Sequence, residues 1–289
     1  MLSLTQDQSG KLINPSGVTS DERLLEIWLF GKAKTTQAMY RRTVNNFLTF
    51  LNKPLQVITV ADVFSWIESL NPTLKESTIK TKLYSIKSLL SFAAKTGYCS
   101  FNVGAAIKAP KVAAGIHRKC LPVEAIKAMS DHTERLRDSL IIRLGYVAGL
   151  RASEISALTW NSLHGETLHV LGKGNKERSI KLPESILGQL EAFKPATTTG
   201  EAPMFMSRKH KGHLTRTSIT RIIKDSAKKA GESDKVSAHW LRHSHAYNAL
   251  KAGADVALLR DTLGHASLAT TSQYIAITPN HSSAMLLGV

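Results

Sequence analysis

The chain has 289 residues, 43% of them hydrophobic and 21% charged, with a formal net charge of +16. That length holds two domains with cores of their own, and the composition excludes a disordered chain. With no apolar run of roughly 18 residues or more, and neither the charged start nor the apolar core of a signal peptide in MLSLTQDQSG, a membrane span and secretion are not expected.

The charge is spread along the chain, +9 over residues 1–120 and +7 over 121–289. A basic tail on a neutral enzyme does not give that split. A long polyanion gripped by both halves does, with nucleic acid ahead of an anionic membrane. Cys99 and Cys120 read as packing or surface thiols, since a reducing compartment disfavours a disulfide and two cysteines make no zinc-binding array.

Residues 1–18 show little periodicity and read as a loose arm. Helices begin at Ser20. Tyr40, Val44, Phe47, Leu48 and Leu51 form one apolar stripe on a helix from Thr35 to Leu51, and Ile79, Leu83, Ile86, Leu90 and Ala93 form another from Ser77 to Lys95, ended by Gly97. Between them a shorter helix from Thr59 to Leu70 turns Val63, Ile67 and Leu70 inward and stops at Asn71-Pro72. The spacing thus predicts an all-helical domain over residues 19–107. Lys80, Tyr84 and Lys87 share one helix face, while Lys32, Lys34, Arg41 and Arg42 cluster near the start of another helix. A solvated lysine face is the plain account for any one of them; the domain's charge makes a DNA-facing side the better one for the group. Residues 108–120, with Lys108, Lys111, Arg118 and Lys119, read as a basic linker able to strap across a phosphate backbone. No Walker-type loop is present to support ATP-driven function.

Residues 121–289 make the second domain, with a C-terminal tail. Leu136, Leu140, Ile141, Leu144 and Val147 give a helix face that Gly149 ends, and Leu150-Arg151-Ala152-Ser153-Glu154 opens the next helix. Thr167–Leu171 and Arg178–Leu182 read as strands of a hairpin around Gly172-Lys173-Gly174-Asn175-Lys176, which puts Lys173 at an exposed, mobile tip. A basic loop follows with Arg208, Lys209 and Lys211, then a helix from Thr217 to Ala230 with Ile219, Ile222, Ile223 and Ala227 inward. From His239 to Tyr274 the apolar spacing gives three short helices: Ser237 can cap the first and Gly253 end it, Gly264 can end the second, and Ser267 can cap the third, which carries Tyr274. Polar side chains are thereby presented from helix starts and turns, where they can converge on one anionic group.

If that group is a nucleic-acid phosphodiester, cutting it without a metal sets definite needs. Extra charge on the non-bridging oxygens of the transition state suits planar guanidinium groups, and Arg151 and Arg242 are the candidates. A phenol becomes a usable nucleophile where cations favour its phenolate, which nominates Tyr274. The leaving sugar oxygen needs a proton, which suits Lys173 on a hairpin able to close over the site. His239 and His265 can donate to phosphate oxygens or shuttle the tyrosine proton, and Glu154, one helical turn from Arg151, can orient an arginine. His243 has no assigned role.

The ordered set Gly149-Leu150-Arg151-x-Ser153-Glu154, Gly172-Lys173-Gly174-x-Lys176-x-Arg178, His239-x-Leu241-Arg242-His243, Leu263-Gly264-His265 and Thr271-x-x-Tyr274 resembles the tyrosine recombinase, or phage integrase-like, superfamily. It covers most of residues 121–280; the N-terminal part resembles that family's core-binding domain more loosely, through its helix pattern and the spacing of Thr35, Thr36, Tyr40 and Phe47. The resemblance implies a mainly α fold with a small antiparallel β-sheet, a helical core-binding domain and an α+β catalytic domain closing as a C-shaped clamp on double-stranded DNA. It implies a site-specific recombinase that cuts one strand at a time through a 3′-phosphotyrosine at Tyr274, passes through a Holliday junction and needs neither ATP nor metal. Integration, excision, inversion and dimer resolution all remain open. It also implies a homotetramer on two DNA sites, a monomer or dimer free in solution, and scope for accessory DNA-bending or directionality proteins; with neither a membrane span nor a signal peptide expected, the location expected is cytoplasmic and nucleoid-associated. The apolar tail residues Ala284, Met285, Leu286 and Leu287 can dock on a neighbour or pack on their own protein.

Three rivals stand beside this reading. His239, His243 and His245 lie close enough on one helix for zinc to be imagined, but that segment offers too few further ligands. A type IB topoisomerase-like enzyme would use the same chemistry, and a DNA-binding protein without catalysis would share the charge. Alone, Tyr274 would be a packing tyrosine; its place nine residues after His265 turns the balance.

Overall fold

The computed structural model describes residues 16–110, 119–172, 176–207, 212–265 and 267–275. Contacts divide the chain into two compact units, Met1–Ala114 and Gly115–Val289. The first 15 residues of the predicted arm, linker residues 111–118 with Lys111 and Arg118, the hairpin tip with Lys173, the loop residues Arg208, Lys209 and Lys211, and the tail from 276 onward lie outside the described residues.

The N-terminal unit is helical. Ser20 caps α1 (Asp21–Leu29) by accepting from the Arg23 N–H, and α2 runs Lys34–Leu51 to a left-handed Asn52. Thr59 and Asp62 form a capping box at the start of α3 (Val60–Leu70), and α4 spans Glu76–Lys95. Val44 and Phe47 of α2, Val63 and Trp66 of α3 and Ile79, Leu83, Ile86 and Leu90 of α4 close one core, with Phe47 edge-on to Trp66 at 5.0 Å. Each such side chain contributes about 1.5–3 kcal/mol by leaving water. Trp66 takes the central place on α3, and Ile67, expected there, is only partly buried. Val18, within the stretch read as a loose arm, is buried in this core, so the ordered chain begins before Ser20. Asp21 ties two distant segments by accepting from the Leu55 N–H and the Tyr98 hydroxyl.

The C-terminal unit packs α5 (Val123–Asp131), α6 (Leu136–Val147), α7 (Ala152–Ala157), α8 (Glu184–Phe193), α9 (Arg216–Lys229) and α10 (Ala238–Lys251) around one core, beside a three-stranded antiparallel sheet. Its strands β1 (Leu163–His164), β2 (Thr167–Leu171) and β3 (Glu177–Lys181) lie in sequence order, with Val170 opposite Arg178 and Leu168 opposite Ile180. β3 therefore starts one residue earlier than the sequence pattern indicates, and β1 is an addition. Leu136 is exposed instead of inward because it is the first residue of α6; beyond it the helix is buried on several sides. Ser237 is the N-cap of α10 by backbone conformation, without a capping bond from its side chain. α11 (Val256–Leu263) and α12 (Leu268–Ile275) complete the unit, and Tyr274 packs with Ala246, Leu250, Leu259 and Leu263 in a small second cluster. Cys99 and Cys120 are both thiols, with no disulfide between them. No helix among the described residues is long and apolar enough to cross a membrane.

Candidate active site

Two left-handed glycines set the site's geometry. Gly149 (φ 57°) ends α6 so that Arg151 sits at the N-cap of α7; a Cβ at Gly149 would meet Leu263 Cδ2 at 2.5 Å. Gly264 (φ 62°) ends α11 and turns the chain into His265, and a Cβ there would meet Arg178 Cδ at 3.0 Å. The backbone of each turn then serves as an anchor. Arg242, on α10 and buried, donates Nη1 to the Gly149 carbonyl at 2.7 Å and Nη2 to the Leu263 carbonyl. One guanidinium thus fixes the turns that carry Arg151 and His265.

Arg151 is held from the other side. Glu154, buried on α7, accepts from Arg151 Nη1 at 2.7 Å and from the Arg151 backbone N–H at 2.8 Å. Arg178 of β3 meets the same carboxylate at 2.9 and 3.0 Å, and its Nε donates to the Thr262 carbonyl at 2.9 Å. Burial alone would raise the Glu154 pKa; hydrogen bonds from Arg178 and Arg151 outweigh it and hold the carboxyl at about 2. Glu154 is therefore the anionic centre of a network joining α7, β3 and α11. Arg178 lies in the hairpin motif, but the sequence alone gives it no role, because its partner lies 24 residues away.

Burial holds His239, His243 and His265 below the ordinary imidazole pKa. Burial pushes His265 down to about 4, with Arg242, Arg151, His243 and Arg178 adding to it, and its Nδ1 lies 2.9 Å from the Thr271 hydroxyl. His239 opens to solvent, yet the protein on its inner side, then Arg242, Arg151 and Lys119, also lower its pKa. Its ring stacks near that of His243 at 6.1 Å. His243 Nδ1 lies 2.6 Å from the Tyr274 hydroxyl, a contact that sequence reasoning missed; the signal was the histidine one turn after His239. Burial drives Tyr274 up to about 12, and Arg242 acts against that rise. Arg242 itself falls to about 9, through burial first and then Arg151.

Arg151, Glu154, His239, Arg242, His265 and Tyr274 are thus brought together. In front of Arg151 and His265 lies a cleft of about 990 Å³, also lined by Gly172, Lys176, Arg178 and Arg260, so the hairpin that carries Lys173 borders it. Among the described residues no group of three or more His, Cys, Asp or Glu is placed to hold a metal. Of the basic candidates, Lys119 acts electrostatically on His239 and His243, while Lys34, Arg41, Arg42 and Lys108 are exposed on the N-terminal unit. Lys32 and Lys80 are partly covered, Lys32 over the Trp28 ring. Lys87 is engaged within its unit, donating to the Ile107 carbonyl.

A small antiparallel sheet among helices, one arginine at a helix start, a second buried within α10 and a buried tyrosine beside them define the class. Residues 120–281 match the phage integrase family and residues 29–97 the N-terminal SAM-like domain of phage integrases. The chain belongs to the phage integrase family and is a tyrosine recombinase. It is 31% identical over 265 residues to the tyrosine recombinase XerA of Pyrococcus furiosus, covering 88% of this chain and 87% of that protein. It is 30% identical over 295 residues to the tyrosine recombinase XerD of Rickettsia conorii, covering 92% and 96%. The fold is shared with the XerH site-specific recombinase in a post-cleavage complex with a palindromic difH substrate (TM-score 0.72, 21% identity, 91% of this chain and 82% of that one). It is shared also with a lambda integrase tetramer bound to a Holliday junction (TM-score 0.72, 18% identity, 90% and 78%).

Proposed function

We propose that this tyrosine recombinase cuts and rejoins double-stranded DNA at specific sites through a 3′-phosphotyrosine at Tyr274, as a tetramer that passes through a Holliday junction. The observation that carries the reading is the pair of anchors on Arg242, whose guanidinium bonds the carbonyls two residues before Arg151 and two residues before His265. Three groups from separate helices are thereby held toward one phosphate. Arg151 and Arg242 neutralise the charge that grows on the non-bridging oxygens, His239 and His265 donate to them, and Glu154 and Arg178 keep Arg151 in place. Lys173 protonates the 5′ oxygen as it leaves, from a hairpin whose described flanks border the cleft. The phosphodiester energy is kept in the tyrosyl ester, so neither ATP nor a metal enters the reaction.

Double-stranded DNA is the partner that the charge of both units favours, and the complexes of XerH with its difH substrate and of lambda integrase with a Holliday junction support it. Lys34, Arg41, Arg42 and Lys108 contact phosphates from the N-terminal unit, and the positive charge of residues 108–120 suits a strap across the phosphate backbone. Action on chromosomal or element DNA favours a nucleoid-associated location in the cytoplasm.

Cleavage sites mapped on the source genome with purified protein provide the substrate for the test. A duplex of that sequence with a nick beside the cleavage point traps the covalent intermediate. The wild type is expected to form a 3′ adduct and Tyr274→Phe none, with DNA binding kept. Adduct formation by Tyr274→Phe contradicts the assignment, and relaxation of plasmids lacking any cleavage site would mark a topoisomerase instead.

A further inference from the structure

The proposed reading uses the arginines, His239 and His265 on the phosphate and gives His243 no part. His243 lies one turn beyond His239 on α10, and its Nδ1 stands 2.6 Å from the Tyr274 hydroxyl, with ring centroids 5.7 Å apart. Around it stand His239 and Arg242 on α10 itself, Lys119 from the segment before α5, Tyr274 from α12, His265 after α11, and the Cys120 thiol on the His243 carbonyl at 3.7 Å. Burial first, then His239, Lys119 and Arg242, push the His243 pKa down to about 4. The resting ring is therefore neutral. With its proton on Nε2, Nδ1 is an acceptor aimed at the phenol O–H.

We propose that His243 is a catalytic residue, orienting the Tyr274 phenol through Nδ1 and accepting its proton as the phenol oxygen attacks phosphorus; this rests on Tyr274 being the nucleophile. As the Oη–P bond forms and the P–O5′ bond breaks, the phenol proton passes to Nδ1 and the 5′ oxygen takes its proton from the acid on the leaving side. In rejoining, the imidazolium returns its proton to the departing phenolate. A bound phosphate beside Arg242 opposes the cationic field that lowers the His243 pKa, so the ring becomes a better base when DNA is in place. The His243–Tyr274 contact also explains how a phenol raised to about 12 can react near neutral pH: the proton leaves during attack and no free phenolate accumulates.

The test compares adduct formation by wild type, Tyr274→Phe, His243→Ala and His243→Gln on the mapped nicked duplex. A second substrate carries sulfur in place of the bridging 5′ oxygen, a leaving group that needs no proton. His243→Ala is expected to slow adduct formation by about 100-fold or more on both substrates. His243→Gln, which can accept the phenol hydrogen bond but no proton, keeps folding and DNA affinity yet stays slow, with a rate that climbs as pH rises toward the phenol pKa. Should the alanine variant melt early, the glutamine variant decides. The proposal is overturned by a wild-type rate in His243→Gln, by a glutamine pH profile parallel to the wild type, or by recovery of His243→Ala on the sulfur substrate, which would put the residue on the leaving-group side. Failure of the nucleophile reading looks different: Tyr274→Phe would form the adduct, or the wild type would form none.

Discussion

In the N-terminal unit the charged candidates stand outside a closed apolar core; in the C-terminal unit the charged groups are part of the interior. Lys34, Arg41 and Arg42 are exposed on a helix whose inner face is Val44 and Phe47, while Glu154 and Arg242 are buried, their bonds joining α6, α7, α10, α11 and β3. The difference is one of separability. On the N-terminal surface, binding can be altered without touching the fold. In the catalytic unit the groups that would meet the phosphate also hold the turns together, so activity and stability fall together.

Arg242→Ala should produce the largest loss. It strips the Gly149 and Leu263 carbonyls of their donor and removes a cation from the phosphate site. We expect adduct formation to drop by about 10²–10³-fold, by analogy with the loss of one oxyanion donor. Each unsatisfied buried carbonyl adds about 1–3 kcal/mol of destabilisation, read by denaturant melts. A variant of wild-type stability would break the claim that this side chain is structural as well as chemical.

Glu154→Ala comes next. It leaves Arg151 and Arg178 without their shared carboxylate, at a cost of about 3 kcal/mol for a broken buried pair. The sign with pH follows from the depressed carboxyl: because its folded pKa of about 2 lies below the ordinary value of 4.5, its contribution is full above 4.5 and is lost as pH falls through 2. Wild type and Glu154→Ala should accordingly converge in stability toward pH 2, and a gap that widens on acidification would contradict the network.

Arg41→Ala should have the smallest effect on the molecule and a plain one on DNA. Stability should stay within about 0.5 kcal/mol of the wild type. The slope of log binding constant against log salt should fall by about 0.9 if the side chain neutralises one phosphate. A changed melting point with an unchanged salt slope would reverse the comparison between the two units.

The helices were largely legible in the sequence. The stripe on α4 and the stops at Gly149 and Gly264 are local signals, set by residues three or four apart or by a single backbone conformation. What escaped was non-local or very short. β1 has two residues, too few for any alternation. Arg178 meets Glu154 across 24 residues and Thr262 across 84, and His243 meets Tyr274 across 31, so no spacing rule within one helix could pair them. Lys87 read as an exposed cation because its helix face is polar, but the chain after α4 folds back and offers the Ile107 carbonyl. The residues that carry chemistry in the sequence were therefore visible by type and order, whereas the residues that hold them became visible only in three dimensions.

The most direct measurement is the chemical identity of the covalent link. Wild-type protein trapped on its nicked substrate, digested with protease and sequenced by mass spectrometry, should carry a nucleotide joined by its 3′ phosphate to Tyr274, with a released strand whose 5′ hydroxyl can be labelled by kinase without prior phosphatase. A nucleotide on any other residue, or a link through the 5′ phosphate, would contradict the account.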